Sequence, residues 1–182
     1  MAGDKVAVFL DRDGTIIVDK NYIKSPDEVE LLPSAREAIG MLRDFGCLLF
    51  LFSNQSGVAR RLVTVGDVAA CNGRMIELLG DRGEVFDEIC MAYEEPSANP
   101  IWRKPSPKFI VTMVEKYNLF SKNCYMVGDK ESDAMAGINA GINAVLIRKN
   151  SLVPALIDCE IAKNIAIFPS ILEFSKRLTL GT

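Results

Sequence analysis

Short apolar runs alternate with small polar clusters along the whole chain. Val6-Ala7-Val8-Phe9-Leu10 is continuously apolar and rich in β-formers, the pattern of a strand buried on both faces. Asp11-Arg12-Asp13-Gly14-Thr15 follows and ends it, because Asp is a poor strand residue and Gly admits positive φ. The same change recurs. Cys47 to Phe52 predicts a second strand, ending at Ser53-Asn54-Gln55-Ser56-Gly57. Phe86 to Tyr93 holds a weaker third. Cys124 to Val127 is a fourth, followed by Gly128-Asp129-Lys130-Glu131-Ser132-Asp133. Asn143 to Ile147 and Ile165 to Phe168 read as a fifth and a sixth.

Helical patterns fill the intervals. Ser34-Ala35-Arg36-Glu37 reads as a capping box, opening a helix with Ala38, Ile39, Leu42 and Phe45 on one face and Gly46 at its end. Thr64 to Leu79 predicts a second helix, with Thr64 as N-cap and Asp67 at the third position. Ser106 as N-cap with Pro107 at the first helical position predicts a third, running to about Tyr117 and burying Phe109, Ile110, Met113 and Val114. A fourth runs from about Glu131 to Ala140 and stops at Gly141, and Ser170-Ile171-Leu172-Glu173 caps a last one. Ile16 to Pro33 is a long polar loop, Glu94 to Trp102 lacks periodicity, and the 150s read as irregular. Repeated β-loop-α units predict an α/β fold, a parallel central sheet with helices on both faces. Every polar cluster then gathers at the carboxyl edge of that sheet, where such sheets bind ligands.

Composition narrows the chemistry. A chain of 182 residues, 49% hydrophobic, fits one domain over 1–182 and hardly two. The net charge of −3 gives no sign of a nucleic-acid or anionic-membrane surface. No apolar run approaches a membrane span, and Met1-Ala2-Gly3-Asp4-Lys5 lacks a signal-peptide pattern, so a cytoplasmic protein is expected, and a monomer by default. The five cysteines are widely spaced with no C-x-x-C, as core thiols are. The absence of histidine removes the Ser-His-Asp triad, the Cys-His pair and His-ligated zinc.

The predicted edge carries Asp11, Asp13, Ser53, Asn54, Lys104, Asp129 and Asp133. An isolated Asp-x-Asp is most often turn chemistry. Several carboxylates around one lysine, with amides and hydroxyls, instead suit a divalent cation and a phosphate held together, with a carboxylate as nucleophile. Arg60 and Arg61 stand near enough in sequence to face an anion, although a single arginine is more often solvated.

Asp11-Arg12-Asp13-Gly14-Thr15, Ser53-Asn54-Gln55, Lys104-Pro105 and Gly128-Asp129-x-x-x-Asp133 stand in the order and approximate spacing of the four motifs of the haloacid dehalogenase (HAD) superfamily, which the chain resembles from about Val6 to Ile147. More narrowly it resembles the D-glycero-D-manno-heptose 1,7-bisphosphate phosphatases and the related histidinol-phosphate phosphatase domains, through Asp19-x-x-Tyr22, Ser56-Gly57-Val58-Ala59-Arg60, Arg103-Lys104-Pro105 and Met126-Val127-Gly128-Asp129-Lys130.

The resemblance implies a three-layer Rossmann-like HAD fold without a large cap domain, and a Mg²⁺-dependent phosphatase acting on a phosphorylated sugar. Asp11 would be the nucleophile. Asp13 would be the acid and base, and its backbone carbonyl would help Asp11 and Asp129 hold the metal, with Asp133 behind them. Ser53 and Lys104 would bind the transferring phosphoryl group, and Asn54, Arg60 and Arg103 would place the substrate. Many relatives in this subfamily carry a Cys/His zinc site in the loop before Arg-Lys-Pro. Here Cys90 to Trp102 offers at most one such ligand, so no zinc is expected. Histidinol phosphate or another small phosphomonoester is the alternative substrate, a nucleic-acid 3′-phosphate being disfavoured by the charge. A non-catalytic phosphosugar-binding protein is the alternative class.

Overall fold

A computed structural model describes residues 5–80, 84–96, 100–148 and 165–181. Six strands form one parallel sheet: β1 (Ala7–Leu10), β2 (Leu48–Asn54), β3 (Glu88–Ala92), β4 (Cys124–Gly128), β5 (Asn143–Ile147) and β6 (Ile165–Phe168). Their spatial order is β3-β2-β1-β4-β5-β6, every pairing parallel. The connection direction therefore reverses between β1 and β4, which opens a crevice at their carboxyl ends. Register fixes what meets there: Leu10 pairs with Leu51 on one side and Val127 on the other, and the Asp11 N–H continues the ladder to the Val127 carbonyl at 2.9 Å.

Among the described residues five helices cover the sheet: α1 (Ala35–Asp44), α2 (Val65–Leu79), α3 (Lys108–Lys116), α4 (Glu131–Asn139) and α5 (Ile171–Leu180). Alternation along the strands sorts the core into two layers. Val8, Leu10, Leu49, Leu51 and Val127 pack against α1, α2 and α5. Phe9, Phe50, Phe52 and Met126 pack against α3 and Ala136 of α4. The second layer is aromatic: Phe50 stacks on Phe9 at 4.7 Å and meets Phe109 and Tyr117 edge-on.

Several local expectations change. Ser34 makes no cap: a turn from Leu32 to Ala35 puts it in the left-handed region, φ 64°, and its hydroxyl bonds no helix N–H. Phe45 is half exposed, because it lies beyond the last helical residue where the chain turns through Gly46 (φ +88°) into β2. α3 begins one residue late, with Pro107 at the cap position and no side-chain cap bond, although the Ser106 hydroxyl still accepts the Lys108 N–H at 3.3 Å. Val114 is only half-buried. Thr64 and Asp67 form the reciprocal capping box, and the Ser170 hydroxyl accepts the Glu173 N–H. The loop from Ile16 to Pro33 is polar only in part. It folds back over the sheet edge through the Ile17–Leu31 bridge and buries Ile16, Ile17, Ile23 and Val29, with one short 3-10 turn at Pro26–Glu28. The reading of the 150s, and Cys159, lie outside the described residues. Among the described residues no helix is long and apolar enough to cross a membrane.

Phe50→Ala is expected to lose about 3–5 kcal/mol of unfolding free energy in urea titration, since the two ring faces it fills cannot collapse. A loss below about 1 kcal/mol would show that the aromatic layer does not anchor the sheet.

Candidate active site

The crevice between β1 and β4 contains a buried ionic cluster. Lys104 is 2% exposed, and its ammonium lies 2.6 Å from Asp11 Oδ1, 2.6 Å from Asp133 Oδ1 and 2.7 Å from the Phe52 carbonyl. Asp11 is the first residue after β1, and Asp133 is in the first turn of α4. The Asp133 Oδ2 accepts the Lys130 N–H at 2.9 Å, so the carboxylate caps its own helix while holding the lysine. Two glycines make room. A Cβ on Gly128 would collide with the Asp133 carboxylate, and one on Gly14 (φ +85°) with that of Asp129.

Asp11, Asp129 and Asp133 bring carboxylate oxygens within 4.8 Å of one another. Like charges this close, with one ammonium between them, disfavour full ionisation. Burial pushes Asp11 up to about 7, against Lys104 and with help from Asp133 and Asp13. Burial and then Asp133 push Asp129 up to about 6, against Lys130. Burial would lower Lys104, but Asp11 and Asp133 outweigh it and hold the ammonium protonated. The Asp129 Oδ1 is buried with no hydrogen-bond partner among the described residues. An all-oxygen, acidic set with an unsatisfied carboxylate oxygen fits a hard divalent cation. The oxygens of Asp133 are already engaged, which leaves Asp11 and Asp129 as the carboxylates open to one.

The Asp13 side chain stands apart from that set. Arg12 grips it with a two-pronged fork, Nε to Oδ2 and Nη2 to Oδ1, each 3.0 Å. Arg12 is itself buried and tied to Asn72 of α2 at 2.9 Å. Gln55 donates to Asp13 at 2.8 Å and to the Ser53 hydroxyl at 2.9 Å, and that hydroxyl lies 3.4 Å from Asp13. A cavity of about 250 Å³ opens outward from here, lined by Asp13, Tyr22, Asn54, Arg60, Arg103 and Lys130 among others. Arg60 donates to the Tyr22 hydroxyl at 3.0 Å, and Lys130 pairs with Asp19 at 2.9 Å. Burial and the neighbouring Arg60 charge lower Arg103, whose buried Nη1 has no hydrogen-bond partner among the described residues. Two guanidinium groups thus converge on one cavity, an arrangement that favours an anion there. Arg61 is exposed and does not line it.

The structure therefore brings Asp11, Asp13, Ser53, Asn54, Lys104, Asp129 and Asp133 to one sheet edge, with Arg60 and Arg103 at the rim. It adds three groups that the site prediction omitted. Asn72 had a signal: it falls among Val68, Cys71, Met75 and Leu79 on the buried face of α2, where a polar residue needs a partner. Gln55 and Arg12 stand inside the motifs, but nothing local tells that both aim at Asp13. The loop before Lys104 is closed by Glu94, whose carboxylate accepts backbone N–H groups of Ile101, Trp102 and Arg103. A larger groove of about 670 Å³ beside β3 is apolar and lined by none of the acids of the cluster.

The HAD-hydrolase-like family matches residues 101–173. The D-glycero-beta-D-manno-heptose-1,7-bisphosphate 7-phosphatase of Helicobacter pylori J99 is 34% identical over 148 residues, 80% of this chain and 85% of that one. The enzyme of the same name from Mesorhizobium japonicum is 38% identical over 143 residues, 75% of this chain and 66% of that one. The crystal structure of D,D-heptose 1,7-bisphosphate phosphatase from B. bronchiseptica, complexed with magnesium and phosphate, superposes with a TM-score of 0.83 at 26% identity, covering 97% of this chain and 99% of that one.

Lys104→Met leaves Asp11 and Asp133 facing each other without a cation, and is expected to cost about 3–5 kcal/mol at about pH 8. The cost should shrink near pH 5, at about the point where Asp11 holds its proton: the folded state then keeps a proton that the unfolded chain has released, so stability falls as pH rises. Urea titrations at both pH values check this. An equal loss at the two would show that Lys104 contributes packing and not charge.

Proposed function

The chain belongs to the D-glycero-D-manno-heptose-1,7-bisphosphate 7-phosphatase family of HAD-like hydrolases, phosphoric monoester hydrolases, and we propose that it removes the 7-phosphate of that bisphosphate in a Mg²⁺-dependent reaction through an aspartyl-phosphate. The observation that carries this reading is Asp11, a buried carboxylate at the switch point, 2.6 Å from a buried ammonium and in one cluster with Asp129, whose Oδ1 has no hydrogen-bond partner among the described residues.

In this reading an Asp11 carboxylate oxygen attacks phosphorus while the bond to the sugar O7 breaks. Asp13 gives its proton to that leaving oxygen. In the second step Asp13 takes a proton from water, the resulting hydroxide attacks phosphorus, and the bond to Asp11 breaks, restoring the carboxylate and releasing phosphate. The Arg12 fork, anchored by Asn72, and the Gln55 amide fix the orientation of Asp13 for both transfers. Lys104 and the Ser53 hydroxyl hold the oxygens of the transferring group, and Asn54 sets the Lys104 backbone through paired hydrogen bonds of 3.1 and 2.9 Å. Mg²⁺, held by Asp11, Asp129 and the Asp13 backbone carbonyl, would neutralise phosphate charge and keep Asp11 ionised. Arg60 and Arg103 would bind the phosphate that is not cleaved. That pair argues against histidinol phosphate, whose remainder is an ammonium and an imidazole and carries no second anion.

Phosphate release from heptose 1,7-bisphosphate, histidinol phosphate and short 3′-phosphorylated oligonucleotides, with Mg²⁺ and with EDTA, tests the reading. Selective, EDTA-sensitive release from the bisphosphate is expected, and Asp11→Asn should lose about a thousandfold or more in kcat with its circular dichroism unchanged. Wild-type turnover in that variant would refute the mechanism, and preferential turnover of another substrate would refute the specificity.

Proton linkage gives a second test. Without cation, Asp11 and Asp129 sit above the ordinary carboxylate range, so the folded state holds protons that the unfolded chain releases. Metal-free stability therefore falls as pH rises from the ordinary carboxylate range through those raised values. Mg²⁺ takes the place of the protons, so the rise in Tm on adding it should be larger at about pH 8 than at about pH 5. An equal rise at both would place the cation away from these carboxylates.

A further inference from the structure

The segment just before Lys104 presents a run of backbone N–H groups, each of them bonded to a side chain. Ile101 donates to Glu94 Oε1 at 2.8 Å, Trp102 to Oε2 at 2.7 Å and Arg103 to Oε2 at 2.6 Å. The next donor, Lys104, goes to Asn54 Oδ1 at 2.9 Å. The Ser106 N–H returns to the Arg103 carbonyl and its hydroxyl to the Ile101 carbonyl, so the chain winds into a concave run of donors. Successive N–H groups curved in this way form an anion-binding nest, and here the anion is a side chain of the protein itself. Although its desolvation raises the carboxyl, the bonds from Ile101, Trp102 and Arg103 hold Glu94 below the ordinary glutamate range. Glu94 stands two residues past β3, whose last carbonyl, on Ala92, accepts the Gln55 N–H at 2.7 Å. The nest is thereby tied to the same sheet edge as the reacting groups.

Two functional side chains leave this segment, and they are supported very differently. Lys104 is fixed several times over, by Asn54 at its backbone and by Asp11, Asp133 and the Phe52 carbonyl at its ammonium. The Arg103 guanidinium reaches the cavity beside Arg60, against like-charge repulsion, and its buried Nη1 has no hydrogen-bond partner among the described residues. Glu94 attracts the guanidinium charge, and the backbone N–H of Arg103 also ends on Glu94. A change at Glu94 should therefore be felt at Arg103 and hardly at Lys104.

We propose that Glu94 is a positioning residue for substrate selection: by gathering the N–H groups of Ile101, Trp102 and Arg103 it aims the Arg103 guanidinium into the cavity beside Arg60, and so sets the preference for a doubly phosphorylated sugar. This rests on the reading of that cavity as the site of the phosphate that is not cleaved. Glu94 itself touches no substrate.

Steady-state kinetics of wild type, Glu94→Gln, Glu94→Ala, Arg103→Ala and the Glu94→Ala/Arg103→Ala double variant, on heptose 1,7-bisphosphate and on p-nitrophenyl phosphate, test it. In Glu94→Ala, kcat/KM for the bisphosphate should fall about tenfold relative to that for p-nitrophenyl phosphate, carried by KM rather than kcat, as expected when a binding group loses its aim. Glu94→Gln, which keeps an acceptor but not the charge, should fall between, and it carries the test if the alanine variant does not fold. The double variant should lose no more than Arg103→Ala alone. Glu94→Ala that slows both substrates in proportion, or that adds its whole effect to Arg103→Ala, refutes the proposal. So does a Glu94→Ala that keeps the preference while Arg103→Ala loses it, and in that case the cavity reading stands. A wild type without preference, or Arg103→Ala with its preference intact, refutes the cavity reading and this inference together.

Discussion

A single ammonium between two buried carboxylates holds the reacting edge of this protein together. Lys104 lies between Asp11 and Asp133, with nearly all water excluded. Each carboxylate alone would carry a large desolvation cost in that position, and the lysine would too. Together they fix the end of β1, the start of α4 and the segment before α3 relative to one another. In the proposed mechanism Asp11 attacks as an anion, a state that its burial opposes and Lys104 favours. In that mechanism stability and chemistry share one contact.

Sheet topology supplies the position. Because the strand order reverses between β1 and β4, the residues after those strands face each other across an uncovered crevice. Asp11 and Asp129 occupy these two places. Lys104 comes from the segment that follows β3 in the chain, and it reaches the crevice where β2 extends through Ser53 and Asn54 and Asn54 clamps the Lys104 backbone. Two glycines, Gly14 and Gly128, allow the backbone to come close enough for the carboxylates to converge. Arg60 and Arg103, supported from loops, close the rim. The proposed mechanism accordingly assigns the transferring group to the strand-borne part of the site and the remainder of the substrate to the loop-borne part.

Much of this was legible in the sequence. The strand-to-polar transitions at Leu10–Asp11, Phe52–Ser53 and Gly128–Asp129 mark the sheet edge, and β5 and β6 match their predicted limits at Asn143–Ile147 and Ile165–Phe168. What was not legible depends on contacts distant in sequence. Ser34 has the capping residues in order, yet the turn from Leu32 places it left-handed. Phe45 follows the helical spacing, yet the helix ends before it. The bond from Arg12 to Asn72 spans 60 residues, and periodicity reports only that Asn72 belongs inside, not what it holds. The loop before Lys104 showed no pattern because the groups that organise it are backbone N–H groups, which every residue carries. Among the described residues Glu94 is the side chain on which three of them converge, and one glutamate in a polar loop carries no signal.

In the proposed mechanism Asp11, held by Lys104, is the nucleophile that accepts the phosphoryl group. Rapid acid quench of enzyme with Mg²⁺ and heptose bisphosphate labelled with ³²P at the 7-phosphate, during the first turnover, tests it most directly. The account predicts a hydroxylamine-sensitive label on the protein, confined to the peptide that contains Asp11. Label on another residue, or substrate consumed in that first turnover with no label on the protein, would contradict it.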